Sequence, residues 1–228
     1  MFQTLSQQVV QLSPKVLTLH YCLPIMGLMK KLCEAIKGCP QRPFLIADAG
    51  AMYAAKGAGL AQEFDLFTPD SSEIAFLADP EATHPAYISH HLFASDADAI
   101  PDQIVTAFKL KSAAKLLLVK GKTDYIASEG RLLATINEPD IPTLEAIGGT
   151  GDTITGLVSA LVYAGFAPPE AALVACRTNR LAGQLAQPTP ATKVRQVIDQ
   201  FPSVFRRYYA QWATTPAANA KTVMAGVK

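Results

Sequence analysis

Ile147-Gly148-Gly149-Thr150-Gly151-Asp152-Thr153-Ile154-Thr155-Gly156 decides how this chain is read, because glycines here run directly into an apolar periodic segment. Ile154, Leu157, Val158 and Leu161 recur at three- and four-residue intervals, which predicts a helix over 152–164. A helix that opens on glycines can turn consecutive backbone N–H groups toward one anion, and its dipole adds positive potential there. Asp152 in that first turn has two readings. It is an ordinary cap for the helix start, or a base that takes a proton from an attacking hydroxyl while the amides of the turn steady a transferred phosphoryl group.

Working outward, short apolar runs alternate with helical patterns. Val16–Tyr21, Phe44–Ala47, Phe64–Thr68 and Lys115–Val119 read as strands, and the second and fourth are continuously apolar, as a strand buried on both faces requires. Helical periodicity covers 25–37, 51–57, 101–111, 169–187 and 194–209, with a further helix after the Pro69-Asp70-Ser71-Ser72-Glu73 turn, capped by Ser71 or Ser72. Tyr125–Ser128 and Leu132–Ile136, divided by Glu129-Gly130-Arg131, suit an antiparallel hairpin. This alternation predicts an α/β fold: a three-layer α/β/α domain over 1–212 with a mostly parallel central sheet, followed by a loosely held tail over 213–228. Ligands of such sheets sit at the carboxyl ends of the strands, where Asp48 follows one strand and Lys120-Gly121 another.

The formal charge of +1 over 228 residues, with no block of Lys and Arg, argues against nucleic acid as a partner. No apolar run approaches the length of a membrane span, and no leader pattern opens the chain. Cys22, Cys33, Cys39 and Cys176 lack CxxC spacing, so reduced thiols and a cytoplasmic setting are expected. His20, His84, His90 and His91 form no HExxH pattern, and no metal-ligand set is assigned.

The stretch 147–161 resembles the GxGD signature of ribokinase-like kinases, most closely the branch of ATP- or ADP-dependent NAD(P)H-hydrate dehydratases. Asp48-Ala49-Gly50-Ala51, Thr68-Pro69-Asp70-Ser71-Ser72-Glu73 and Val119-Lys120-Gly121 fall in the order that branch has its Asp-Ala-Asp/Gly-Ala-Leu, Thr-Pro-His-Pro-Gly-Glu and Leu-Lys-Gly segments. The resemblance spans roughly residues 43–187, and the closing helices share it. It implies Asp152 as base, Gly149, Thr150 and Gly151 as anion hole, Lys120 and Gly121 near nucleotide phosphates, and Asp48 near the substrate. It further implies ADP or ATP with Mg²⁺, hydrated NADH or NADPH as substrate, and self-association. Two segments depart from the family pattern. The front is shortened, offering only Pro24-Ile25-Met26-Gly27-Leu28 where the family has a Pro-Gly-Leu-Gly-like turn, and Asp70-Ser71-Ser72 replaces His-Pro-Gly. The same geometry serves small-molecule kinases, and a non-catalytic nucleotide-binding remnant is the third reading.

Overall fold

The computed structural model describes residues 2–83 and 97–213; His84, His90, His91 and the tail beyond Ala213 lie outside the described residues. The chain runs α1 (Phe2–Leu12), β1 (Val16–Leu19), α2 (Met26–Lys37), β2 (Phe44–Ala47), α3 (Gly50–Gly57), β3 (Leu66–Phe67), α4 (Ser71–Ala78) and α5 (Ile100–Lys109). It continues through β4 (Leu116–Val119), β5 (Asp124–Ser128), β6 (Arg131–Ile136), α6 (Thr150–Tyr163), α7 (Pro168–Leu185), α8 (Val194–Ile198) and α9 (Phe201–Ala213). The strands form one six-stranded sheet in the order β1-β2-β3-β4-β5-β6. β1 to β4 are all parallel, with Val16 opposite Phe44, Ile46 opposite Leu66 and Leu66 opposite Leu116. The expected mostly parallel α/β fold is therefore present.

By their contacts, the residues divide into two compact units, Met1–Lys120 with Ala127–Leu132, and Gly121–Ile126 with Leu133–Lys228. In the first, β2 and β4 are buried almost throughout, matching their unbroken apolar sequences. Their neighbours Phe64, Phe67, Phe76, Met29 and Leu32 fill the core around them. Helix α3 follows β2 so closely that a side chain on Gly50 would collide with the Cys22 carbonyl oxygen; only glycine fits there. In the second unit α7 packs against α6, α8 and α9, and from Ala171 to Arg180 every residue of it is buried.

Two local readings need correction. Helix α4 is capped by Asp70, not by Ser71 or Ser72: Asp70 Oδ1 accepts from the Glu73 N–H at 2.8 Å while Glu73 Oε2 accepts from the Asp70 N–H at 2.8 Å, a reciprocal box. The segment 194–209 is two helices rather than one, because the ring of Pro202 would meet the carbonyl of Ile198 in a continuous helix and its nitrogen has no proton to donate. Helix α1 lies outside the helices expected from the sequence; it buries Phe2 and Val9 and packs on α2.

Candidate active site

Four parallel strands of the first unit end in polar residues: His20 after β1, Asp48 after β2, Thr68 after β3 and Lys120 after β4. Asp48 is only 2% exposed. A buried carboxylate costs several kcal/mol unless it is paired and hydrogen-bonded. Here Lys120 Nζ lies 3.0 Å from Oδ1 and 2.9 Å from Oδ2, the Ala49 N–H donates to Oδ1 at 2.9 Å, and His20 Nε2 stands 3.2 Å from Oδ2. Lys120 is itself buried, and its backbone N–H donates to the Pro69 carbonyl at 2.7 Å, which ties the ends of β3 and β4 together. The structure thus brings Asp48 and Lys120 into a single ion pair.

Beside them, Glu73 Oε1 accepts from the Tyr53 hydroxyl at 2.9 Å, and Oε2 is held by the capping box. Burial, reinforced by the negative charge of Asp70, pushes the Glu73 carboxyl up to about 7, against the opposing pull of Lys120. Burial, with the carboxylate of Glu73 next, also raises the Tyr53 phenol. Both Glu73 oxygens are thus engaged, one by Tyr53 and one by the cap of α4.

In the second unit Gly149 caps α6 at φ +92°, in the left-handed region, and Asp152 lies in the first turn. The first intrahelical bond is made by the Thr153 N–H to the Gly149 carbonyl at 3.1 Å, so the amides of Thr150, Gly151 and Asp152 belong to the turn that a helix leaves for other partners. The Thr150 hydroxyl points back to the Leu144 and Ile147 carbonyls at 3.3 and 3.2 Å. Asn179 of α7 fixes the same turn: its Nδ2 donates to the Thr150 carbonyl at 3.0 Å and its Oδ1 accepts from the Thr153 hydroxyl at 2.5 Å. The turn that opens α6 is therefore fixed by hydrogen bonds within the fold.

Gly121 is positioned by a second buried pair. Its N–H donates to Asp124 Oδ1 at 3.1 Å, while Arg180 donates to Asp124 Oδ2 at 2.8 Å, to the Gly121 carbonyl at 2.9 Å and to the Lys122 carbonyl at 2.8 Å. Burial raises the Asp124 carboxyl, opposed by Arg180. Sequence reasoning missed His20, Tyr53, Asp124, Asn179 and Arg180. The sequence pattern places His20 inside a strand over 16–21, whereas β1 ends at Leu19, and Asn179 and Arg180 belong to the polar run Arg177-Thr178-Asn179-Arg180 of α7.

A glycine-opened α6 carrying Asp152, downstream of parallel strands with polar ends, matches known proteins in sequence. The sequence profile described as NAD(P)H-hydrate dehydratase covers residues 27–201. The chain belongs to this family. It is 41% identical over 180 residues to an uncharacterized protein of Methanocaldococcus jannaschii, covering 79% of this chain and 78% of that one. A bifunctional NAD(P)H-hydrate repair enzyme of Pyrobaculum aerophilum is 28% identical over 81% of the chain, which spans 35% of the enzyme's length. An ADP-dependent (S)-NAD(P)H-hydrate dehydratase of Cenarchaeum symbiosum is 37% identical over 31% of the chain and 24% of its own length. Among solved structures, pyridoxal kinase of Entamoeba histolytica aligns with TM-score 0.56 at 15% identity over 89% of this chain and 73% of its own. Phosphofructokinase-2 of Escherichia coli gives 0.56 at 18%, covering 89% and 62%. These neighbours establish a ribokinase-like fold. No helix of the described residues is long and apolar enough to cross a membrane.

Proposed function

We propose that this member of the family is a nucleotide-dependent dehydratase that repairs hydrated NADH or NADPH, using ADP or ATP as phosphoryl donor. The observation that carries this reading is the pre-set turn of α6, with Gly149 in the left-handed region, Asn179 bracing Thr150 and Asp152 in the first turn. Asp152 takes the proton of the ring hydroxyl as its oxygen forms a bond to the terminal phosphorus, and the bond from that phosphorus to the bridging oxygen of the nucleotide breaks. The amides of Gly149, Thr150 and Gly151 hold the charge on the transferred group. The ring C–O bond then breaks with loss of phosphate, and a proton leaves the adjacent ring carbon to restore the double bond. Mg²⁺ would accompany the nucleotide as the counter-ion of its phosphates.

Lys120, whose ammonium has a third donor beyond the two directed at Asp48, is proposed to meet nucleotide phosphate together with the Gly121 backbone. Asp48 is proposed to orient substrate. A cytoplasmic homo-oligomer completes the proposal by family analogy.

The test is turnover of hydrated NADH with Mg²⁺ and either nucleotide. Wild-type protein is expected to regenerate NADH, and Asp152→Asn to lower the rate at least about a hundredfold with an unchanged melting temperature. Unaltered turnover in that variant removes Asp152 from the mechanism. Absence of any nucleotide-dependent turnover, and of any rise in melting temperature with nucleotide, refutes the reading as a whole.

A further inference from the structure

The first unit also carries a cleft at the opposite ends of its strands. It has a volume of about 600 Å³ and lies beside Lys115, the residue that leads into β4, whereas Asp48 and Lys120 stand at the strands' carboxyl ends. Clefts of about 300–1,000 Å³ are the usual size for small-molecule sites. Val105 and Phe108 of α5 give one apolar wall, and Ser128 and Gly130 of the β5–β6 turn form the facing rim.

The charge of the cleft is set by Lys109 and Lys115, with Glu129 as its one acidic lining residue. Lys115 Nζ is 2.8 Å from Asp65 Oδ1, but the other oxygen of Asp65 is taken by Arg42 at 2.6 Å, so a single carboxylate is shared by two cations. Among the described residues no hydrogen bond or ion pair engages the Lys109 ammonium. The end of α5 adds little negative potential, because its Thr106, Ala107 and Phe108 carbonyls accept from Leu110, Ser112 and Lys111 at 2.9, 2.9 and 3.0 Å. A net positive rim over an aromatic and aliphatic wall recognises one kind of ligand.

We propose that this cleft binds a small anion with a flat apolar body, its carboxylate or phosphate between Lys109 and Lys115 and its ring against Phe108 and Val105. This site is independent of the dehydratase reading and of the α6 turn. Calorimetric titration of the full chain with benzoate, phenyl phosphate, benzylamine and benzyl alcohol tests it, alongside amide shifts of Ser128 and Gly130. Both anions are expected to bind and to move those amides in the presence of saturating ADP, with the amine and alcohol at least about tenfold weaker. Lys109→Glu, an exposed change at the end of a helix, is expected to weaken the anions at least tenfold, and Val105→Trp to abolish their binding by filling the cleft.

Equal binding of benzylamine, unaltered affinity in Lys109→Glu, or displacement of phenyl phosphate by ADP with Ser128 and Gly130 unmoved would each overturn the assignment. So would the absence of any binding.

Discussion

The carboxyl ends of β2 and β4 and the start of α6 handle charge in opposite ways. At the strand ends a buried carboxylate, Asp48, is neutralised by a buried ammonium, Lys120, with further support from His20 and Ala49. At the helix start the positive potential is that of backbone amides and the helix dipole, and Asn179 braces the turn through the Thr150 carbonyl. The first arrangement is a balanced pair whose partners depend on each other for stability. The second is a turn shaped by a left-handed glycine and the Asn179 hydrogen bonds, so the chemistry proposed for it is expected to be separable from the fold.

The sharpest way to break that comparison is to remove one partner of the pair. Lys120→Met leaves Asp48 buried without its main counter-charge, a change expected to cost about 3–5 kcal/mol. At about 2–4 °C per kcal/mol for a chain of this size, the melting temperature is expected to fall by roughly 6–20 °C. Adding Asp48→Asn is expected to recover part of that loss, since an amide tolerates the site better than an unpaired carboxylate. Thermal unfolding followed by circular dichroism reads both. A melting temperature unchanged in Lys120→Met makes the pair a bystander, and the contrast with Asp152→Asn disappears.

The two regions also differ in how far the sequence discloses them. The helix start was legible because its determinants are contiguous: glycines, an acid and an apolar stripe within residues 147–161. The boundaries of β2 and the interior of β4 were legible for the same reason, as unbroken apolar runs. The ion pair was not, because Asp48 and Lys120 are 72 residues apart and meet only when β2 and β4 enter the same parallel sheet. Arg180 and Asp124, 56 residues apart, escaped notice likewise. Asp70 was overlooked as a cap because serines stood beside it, although the Glu three residues later marks the aspartate as the capping-box partner. Pro202 was inside a periodic pattern, and periodicity was followed where the ring should have ended the helix.

Glu73 sharpens the comparison at the strand-end region, because its cost is paid in pH dependence. The folded carboxyl titrates near about 7, above its value of about 4.3 in an unfolded chain. Between those values the folded protein holds a proton that the unfolded chain has released. The stabilising contribution is therefore complete below about pH 4.3 and declines as pH rises through about 7, by on the order of 3 kcal/mol. Glu73→Gln is expected to flatten this slope in denaturant melts taken across the same pH range, while other titrating groups keep theirs. An identical slope in the variant assigns the dependence elsewhere and leaves Glu73 ionised in the fold.

The smallest effect is the most discriminating for the helix start. Gly149 sits at φ +92°, and a β-carbon there would meet Val194 no closer than 3.6 Å, so Gly149→Ala suffers from backbone strain and not from collision. The expected cost is about 1–2 kcal/mol. The neighbouring Gly148 has open space around its α-carbon and no left-handed requirement, so Gly148→Ala is expected to change stability by less than about 0.5 kcal/mol. The strained variant is also expected to lose more of the nucleotide-induced rise in melting temperature than its neighbour, because relaxing the turn re-aims the amides of Thr150 and Gly151. If the two variants lose that rise equally, the turn acts as a flexible hinge and its geometry does not select the anion. If only Gly149→Ala loses it, one left-handed residue sets the aim of the whole helix start.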